Sequence, residues 1–138
     1  MSDKTIRVLV AEPMKPCRVA DIPDKLEVMQ AMVGGYIEAV TPFTDPVAIV
    51  CNEEGKLQDL PYNRPLVDKN GLPYDILCGT FFITGVQGEH FTSLTDEQIS
   101  CYKELYDNMM VISAEKDKDV GKIATHAKPI KRKDGTER

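Results

Sequence analysis

The chain has 138 residues, of which 42% are hydrophobic and 28% are charged, and its formal net charge is −5. This length and composition are typical of one soluble globular domain, and the acidic balance argues against general nucleic-acid binding, which needs a basic surface. No apolar run approaches the roughly 18 residues of a membrane span, and the polar N-terminal residues do not resemble a signal peptide, so we expect a cytoplasmic protein.

The first predicted elements are a strand hairpin and a helix. Alternating apolar residues predict a strand over 5–12, and residues 17–22 are expected to return beside it as a short second strand. Asp24 is predicted to open a helix, with Glu27 completing a capping box. Gly34 and Gly35 end that helix, because glycine adopts the left-handed C-terminal conformation without a side-chain clash.

Two further strands are predicted over 36–40 and 47–51, joined by a turn with two prolines. The second strand contains no polar residue, which favours a central position covered on both faces. The two strands should form an antiparallel hairpin. Glu38 lies between apolar neighbours, and alternation places it on the solvent face, with a site carboxylate as the alternative.

Residues 57–67 are predicted to be irregular, because Pro61 and Pro65 exclude a long helix. Residues 80–86 then form a strand, with Phe81 and Ile83 facing away from Phe82 and Thr84.

The clearest helix start lies near residue 95. Thr95 is predicted to cap the helix while Gln98 reaches back to it, and the helix is expected to continue to about Ile112.

These elements predict an α+β fold, a small two-layer arrangement in which two helices pack on an antiparallel or mixed sheet of about five strands. One domain is expected over 1–114, followed by a charged, mobile C-terminal extension over 115–138. Within it, residues 128–138 carry five basic and two acidic side chains. They form either an arm for acidic partners or, as we favour, a solvated terminus.

Four cysteines are spread through the chain, at positions 17, 51, 78 and 101. They form no CxxC pair and have apolar neighbours, so buried free thiols are expected. A zinc site would need His90 or His126, and the spacing gives it no support. We therefore expect no metal and no cofactor.

The candidate binding residues follow the central strand. They are Asn52, Glu53, Lys56, Asn63 and Arg64. A turn and a polar connection at one end of a sheet can bring these side chains together, where a guanidinium and amides would bind an anion or a partner. The alternative is structural, in which the asparagines and the arginine hold an irregular loop by bonding its carbonyl groups.

Two other patterns are weaker. Gly79, Gly85 and Gly88 bracket a strand, whereas a phosphate cradle needs a strand, a loop and then a helix, so close backbone approach explains them better. Neither His90 nor His126 has a Ser or Cys partner at a recognisable spacing, so no catalytic residue is predicted.

Four motifs carry a family resemblance, at residues 33–40, 52–57, 60–64 and 79–85. Over about residues 5–107 the chain resembles the family called domain of unknown function 3846, which is common in bacteriophages and mobile elements. The resemblance implies no reaction. It implies an accessory protein in the cytoplasm of a bacterial host. It also implies a phage or mobile-element genome, where small acidic proteins often antagonise host defences.

Three functions remain open at this point. The first is a non-enzymatic protein that binds and inhibits a host defence component, as an anti-CRISPR does, its acidity suiting a basic target. The second is a protein that sequesters a nucleotide-type signal at a subunit interface through Lys56, Asn63 and Arg64. The third is an uncharacterised small enzyme. Membrane and direct nucleic-acid partners are not expected, and a homo-oligomer is compatible with each function.

Overall fold

The fold is that of a computed structural model that describes residues 4–109. The elements of this part of the chain are, in order, β1 (Thr5–Ala11), β2 (Arg18–Pro23), α1 (Leu26–Val33), β3 (Ile37–Val40), β4 (Val47–Asn52), β5 (Tyr62–Val67), β6 (Pro73–Cys78), β7 (Phe81–Gln87), β8 (His90–Thr92) and α2 (Asp96–Asp107).

Six strands form one antiparallel sheet with β7 at its centre. The order is β2-β1-β7-β4-β3, and β8 pairs with the last residues of β7. Strand β1 pairs with β2, and β3 pairs with β4, so both predicted hairpins are confirmed. The remaining strands, β5 and β6, form a separate two-stranded sheet.

Both faces of the large sheet are covered. On one face α1 packs over an apolar cluster that includes Val50 and Phe82. On the other face α2 and the β5–β6 sheet cover a second cluster that includes Phe81 and Ile83. The predicted opposition of Phe81 and Ile83 to Phe82 is therefore confirmed, as is the burial of β4 along its whole length. The α+β class is confirmed, and the structure adds the second sheet and places the helices on opposite faces.

The prediction of an irregular connection over 57–67 is wrong for its second half, which forms β5. Pro65 lies within this strand, opposite Ile76, between two register shifts. Proline has no N–H to donate, but a strand of a two-stranded sheet always has one unpaired edge, where a missing donor costs nothing. The exclusion of a long helix by Pro61 and Pro65 is confirmed, and the irregular conformation predicted for residues 62–67 is replaced by a strand.

The predicted capping of α1 by Asp24 is also wrong. The helix begins at Leu26 behind Lys25, which makes no side-chain capping bond. The Asp24 N–H instead donates to the Lys4 carbonyl at 2.9 Å, so Asp24 extends the β1–β2 hydrogen bonding beyond the Thr5–Pro23 pair. Gly34, at φ 84°, ends the helix as predicted.

The start of α2 agrees with the sequence, because both hydrogen bonds of the Thr95–Gln98 capping box are present. The helix ends at Asp107. The predicted continuation to Ile112, the extension over 115–138 and His126 lie outside the described residues. No helix within residues 4–109 combines the length and apolar character needed to cross a membrane. Cys17, Cys51 and Cys78 are buried free thiols as predicted, and Cys101 is a partly buried one.

Replacing Thr95 with alanine should lower the free energy of unfolding by about 1 kcal/mol, because the Gln98 N–H then loses its side-chain acceptor. Urea denaturation followed by circular dichroism measures this change. The matched control is Ser100→Ala, which removes a hydroxyl from an exposed position inside the same helix and should change stability by less than about 0.5 kcal/mol. Equal losses in the two variants would contradict a capping role.

Candidate functional site

The five candidate binding residues lie in two separate places. Asn63 and Arg64 belong to β5 and are completely buried. Asn52, at the end of β4, is buried as well, whereas Glu53 and Lys56 are exposed in the following turn. The structure therefore does not bring the five together as one surface.

The Arg64 guanidinium is bonded to the protein's own main chain. Its Nε donates to the Tyr106 carbonyl at 3.0 Å, Nη1 donates to the Glu12 carbonyl at 2.9 Å, and Nη2 donates to the Lys15 carbonyl at 2.6 Å. These carbonyls belong to the end of α2 and to the loop between β1 and β2. Arg64 thus joins its own strand, β5, to two segments that are distant in sequence.

The charge of Arg64 is balanced at a short distance. Asp107 Oδ1 lies 3.8 Å from Nη2. Burial lowers the pKa of Arg64, and partial burial alone would raise the pKa of Asp107. Hydrogen bonds from the Cys17 N–H and from Lys103 outweigh that burial and hold the pKa of Asp107 below its ordinary value. The carboxylate therefore stays ionised beside the buried cation.

Asn63 has the same kind of environment. Its Nδ2 donates to the Ala11 carbonyl at 2.9 Å and to the Gly79 carbonyl at 2.8 Å, and its Oδ1 accepts from Arg64 at 2.7 Å. Both amide donors are used. The structural alternative raised from the sequence therefore describes Asn63 and Arg64, and neither side chain is presented to a ligand.

Asn52 connects α1 to the turn after β4. Its Nδ2 donates to the Val33 carbonyl at 3.1 Å and to Gln58 at 3.0 Å, while its Oδ1 accepts from the Glu54 N–H at 2.7 Å. A Cβ atom at Gly35 would lie 3.0 Å from Asn52 Nδ2, which explains why the helix is followed by a second glycine. Asn52 shapes the turn that carries Glu53 and Lys56.

That turn forms one wall of a cleft of about 350 Å3. The cleft lies between edge strand β3, the end of β4 and strand β6. Its lining residues are Glu38, Cys51, Asn52, Glu53, Glu54, Gly55, Lys56, Leu57, Asp75, Ile76, Leu77 and Cys78. Its volume is at the lower end of the range for small-molecule sites, which suits a few side chains of a partner. We refer to it as the carboxylate cleft.

The carboxylate cleft is strongly acidic. Four carboxylates line it, and the one basic side chain among its lining residues, Lys56, is already bonded to Asp75. This hydrogen bond raises the pKa of Lys56. Glu38, Glu53 and Glu54 are exposed. The electrostatic potential of the cleft therefore favours cations and repels phosphate groups.

The cleft thiol of Cys51 is not activated. Burial, with Glu38 and Asp75 adding to it, raises the pKa of Cys51 to about 11. Its Sγ lies 3.6 Å from the Glu38 carbonyl oxygen, as a donor. Because the thiolate is the nucleophile and the metal ligand, this thiol is inert at neutral pH.

The remaining sequence candidates lie elsewhere. Gly79 ends β6 at φ 82°, and a Cβ at Gly85 would lie 2.9 Å from the Ser93 carbonyl, so close backbone approach accounts for Gly85. His90 is exposed in β8. Within residues 4–109 no three His, Cys, Asp or Glu side chains are grouped to hold a metal ion.

The sequence predicts one side of the cleft, which contains Asn52, Glu53 and Lys56, and does not predict the other. Glu38 is exposed, as the alternation of β3 predicts, and it lines the cleft. Asp75, on the other side, is not predicted, because no motif around it indicates a site. A tight turn over 68–71 joins β5 to β6 and is a local hairpin signal, but nothing in the sequence indicates that this hairpin lies beside the turn after β4.

Arg64→Met should lower the free energy of unfolding by about 3 kcal/mol or more, because three main-chain acceptors and Asp107 lose their buried partner. Chemical denaturation measures the loss. Arg18→Met is the matched control, since Arg18 is exposed and pairs with Glu12 at 3.6 Å, and it should cost less than about 1 kcal/mol. A stable Arg64→Met protein would exclude the joining role.

Stability should fall above pH 9, in part because of Cys51. The thiol ionises at its ordinary pKa of 9.0 in the unfolded chain and at about 11 in the folded protein. The contribution of the neutral buried thiol is therefore complete below pH 9 and is lost as the pH rises toward 11, by up to about 1.4 kcal/mol per pH unit.

Unfolding free energies at pH 8 and pH 10.5 test this linkage. Cys51→Ala should lose less stability between the two pH values than the unaltered protein does. Val50→Ala, which shortens a buried side chain in the same strand without removing a titrating group, should keep the original pH dependence. An equal loss of unfolding free energy between the two pH values in all three proteins would refute the contribution of Cys51 to this pH dependence.

Comparisons with known proteins give a family and no activity. No curated protein and no solved structure matches the chain. A family model described as a domain of unknown function, DUF3846, matches residues 6–107, which is most of the chain and nearly all of its described part. The match agrees with the resemblance found in the sequence motifs. The chain is therefore a member of the DUF3846 family.

Proposed function

We propose that this protein acts by binding another protein, without catalysis, and that the carboxylate cleft receives basic side chains of that partner. The observation that carries the proposal is the excess of carboxylates in the cleft, where Lys56 is already bonded to Asp75 and three glutamates are exposed. Charge complementarity of this kind steers association and excludes partners of the wrong sign.

The partner class that we propose is a basic, nucleic-acid-binding component of a host defence system, which the protein would inhibit by occupying its surface. Two features support this choice. The net charge of −5 suits a basic target, and the family resemblance implies a phage or mobile-element setting. Localisation in the bacterial cytoplasm belongs to the same proposal.

Sequestration of a nucleotide-type ligand is less well supported. The residues proposed to hold its phosphates were Lys56, Asn63 and Arg64. Two of them are bonded to internal carbonyl groups, and the third is bonded to Asp75. An enzyme with a cysteine nucleophile at either position is also less well supported, since burial raises the pKa of the Cys51 thiol to about 11 and the pKa of Cys17 to about 12.

Neutralising the cleft should abolish capture of the partner. The test variant carries Glu38→Gln, Glu53→Gln and Glu54→Gln, and the control carries Glu27→Gln, Glu89→Gln and Glu104→Gln at exposed positions outside the cleft. Both change the net charge equally. Each immobilised protein is incubated with bacterial lysate, and the retained proteins are quantified by mass spectrometry.

The expected result is a set of basic proteins retained by the unaltered protein and by the control, and lost from the cleft variant and at high salt. Equal retention by both variants would refute the cleft as the binding site. Native mass spectrometry of the purified protein separates the alternatives, because a co-purifying nucleotide would favour sequestration, and turnover of an added nucleotide would favour an enzyme.

A further inference from the structure

The carboxylate cleft adjoins an open edge of the large sheet. Among the described residues, β3 pairs with β4 and with no other strand. The Glu53 N–H donates to the Tyr36 carbonyl, so these two residues form a hydrogen-bonded pair. Hydrogen-bonded pairs recur at every second residue, and the next two are Glu38 with Cys51 and Val40 with Ile49. In an antiparallel pair the alternate residues, Ile37 and Ala39, therefore direct their N–H and C=O groups away from β4.

We propose that β3 receives an extended segment of the partner as an additional strand, with Lys or Arg at every second position of that segment. The inference deepens the proposed function and rests on it for the identity of the partner as a basic protein. Strand addition supplies main-chain hydrogen bonds for affinity, while alternate side chains supply specificity.

The two faces of β3 explain the expected alternation. Ile37 packs against the cluster under α1, whereas Val40 packs against the cluster under α2 and β5–β6. Glu38 lies on the same face as Val40, since strand side chains alternate, and it lines the cleft. A strand added beside β3 would place every second side chain on the face of the sheet that carries Glu38, which is the acidic face.

Charge complementarity selects the occupant. A basic side chain on the cleft face would meet Glu38 directly, with Glu53 and Glu54 on the neighbouring turn. An acidic segment would be repelled, and a second copy of β3 would place one Glu38 near another. The opposite edge of the sheet lacks these features, because β2 carries charges of both signs, ends in Pro23 and does not line the cleft.

Ala39→Pro is the variant that tests this edge. Residue 39 is exposed and its N–H faces away from β4, so proline would remove an outward donor and leave the β3–β4 ladder intact. Ala39→Thr is the matched control, because it alters the same side chain and keeps the N–H. Circular dichroism and thermal unfolding establish that both variants fold.

The probe is a displayed library of random 12-residue peptides, selected on the immobilised full chain. The peptides enriched by the selection are expected to carry Lys or Arg at alternate positions. Their affinity, measured with synthetic copies by fluorescence anisotropy, should fall about tenfold or more with Ala39→Pro, with no comparable loss for Ala39→Thr. Glu38→Gln should also weaken them, and Glu89→Gln should not.

Three results would overturn strand addition. They are an absence of enriched peptides, enriched peptides without alternating basic residues, and alternating basic peptides that bind Ala39→Pro unchanged. If the lysate experiment still shows loss of the partner from the cleft variant, the proposed function survives and the partner presents its basic residues from a folded surface. If capture is unaffected by the cleft variant, the proposed function itself fails.

Discussion

The buried guanidinium of Arg64 is the interaction on which the arrangement of this protein depends. A charged group inside a protein is costly unless its hydrogen bonds are satisfied, and here three carbonyl groups and the nearby Asp107 satisfy them. The acceptors come from the β1–β2 loop and from the end of α2. Strand β5, which carries Arg64, is thereby fixed to both.

This fixed position of β5 determines where the cleft lies. Asn63 adds bonds to Ala11 at the end of β1 and to Gly79 after β6, so the small sheet is held over the large one from two sides. Strand β6 pairs with β5 and lies farther toward the β3 edge. The space left between β6 and β3 is the carboxylate cleft. Asn63 and Arg64 therefore position the walls of the cleft without lining it.

The distribution of charge differs between the buried polar residues and the carboxylate cleft. The buried cation of Arg64 is held beside Asp107, whose pKa is kept low by hydrogen bonds. At the cleft the balance is reversed, because four carboxylates line it together with a single ammonium group, that of Lys56, which is bonded to Asp75. A basic side chain from a partner can be accommodated there, while phosphate is disfavoured. These contrasts support a protein that recognises cations on a partner.

The sequence by itself determined the α+β class, the two hairpins of the large sheet, the Thr95 cap and the buried β4, because these depend on local patterns of apolar and capping residues. The tertiary structure alone decided that Asn63 and Arg64 point inward. The acceptors of Arg64 include carbonyls 52 residues earlier and 42 residues later in the chain, and those of Asn63 lie 52 residues earlier and 16 later. The tertiary structure also decided that Asp75 and Glu38 line the same cleft. The turn over 68–71 is a local signal for pairing β5 with β6, but the position of this pair over the large sheet has none, because it depends on contacts with distant elements.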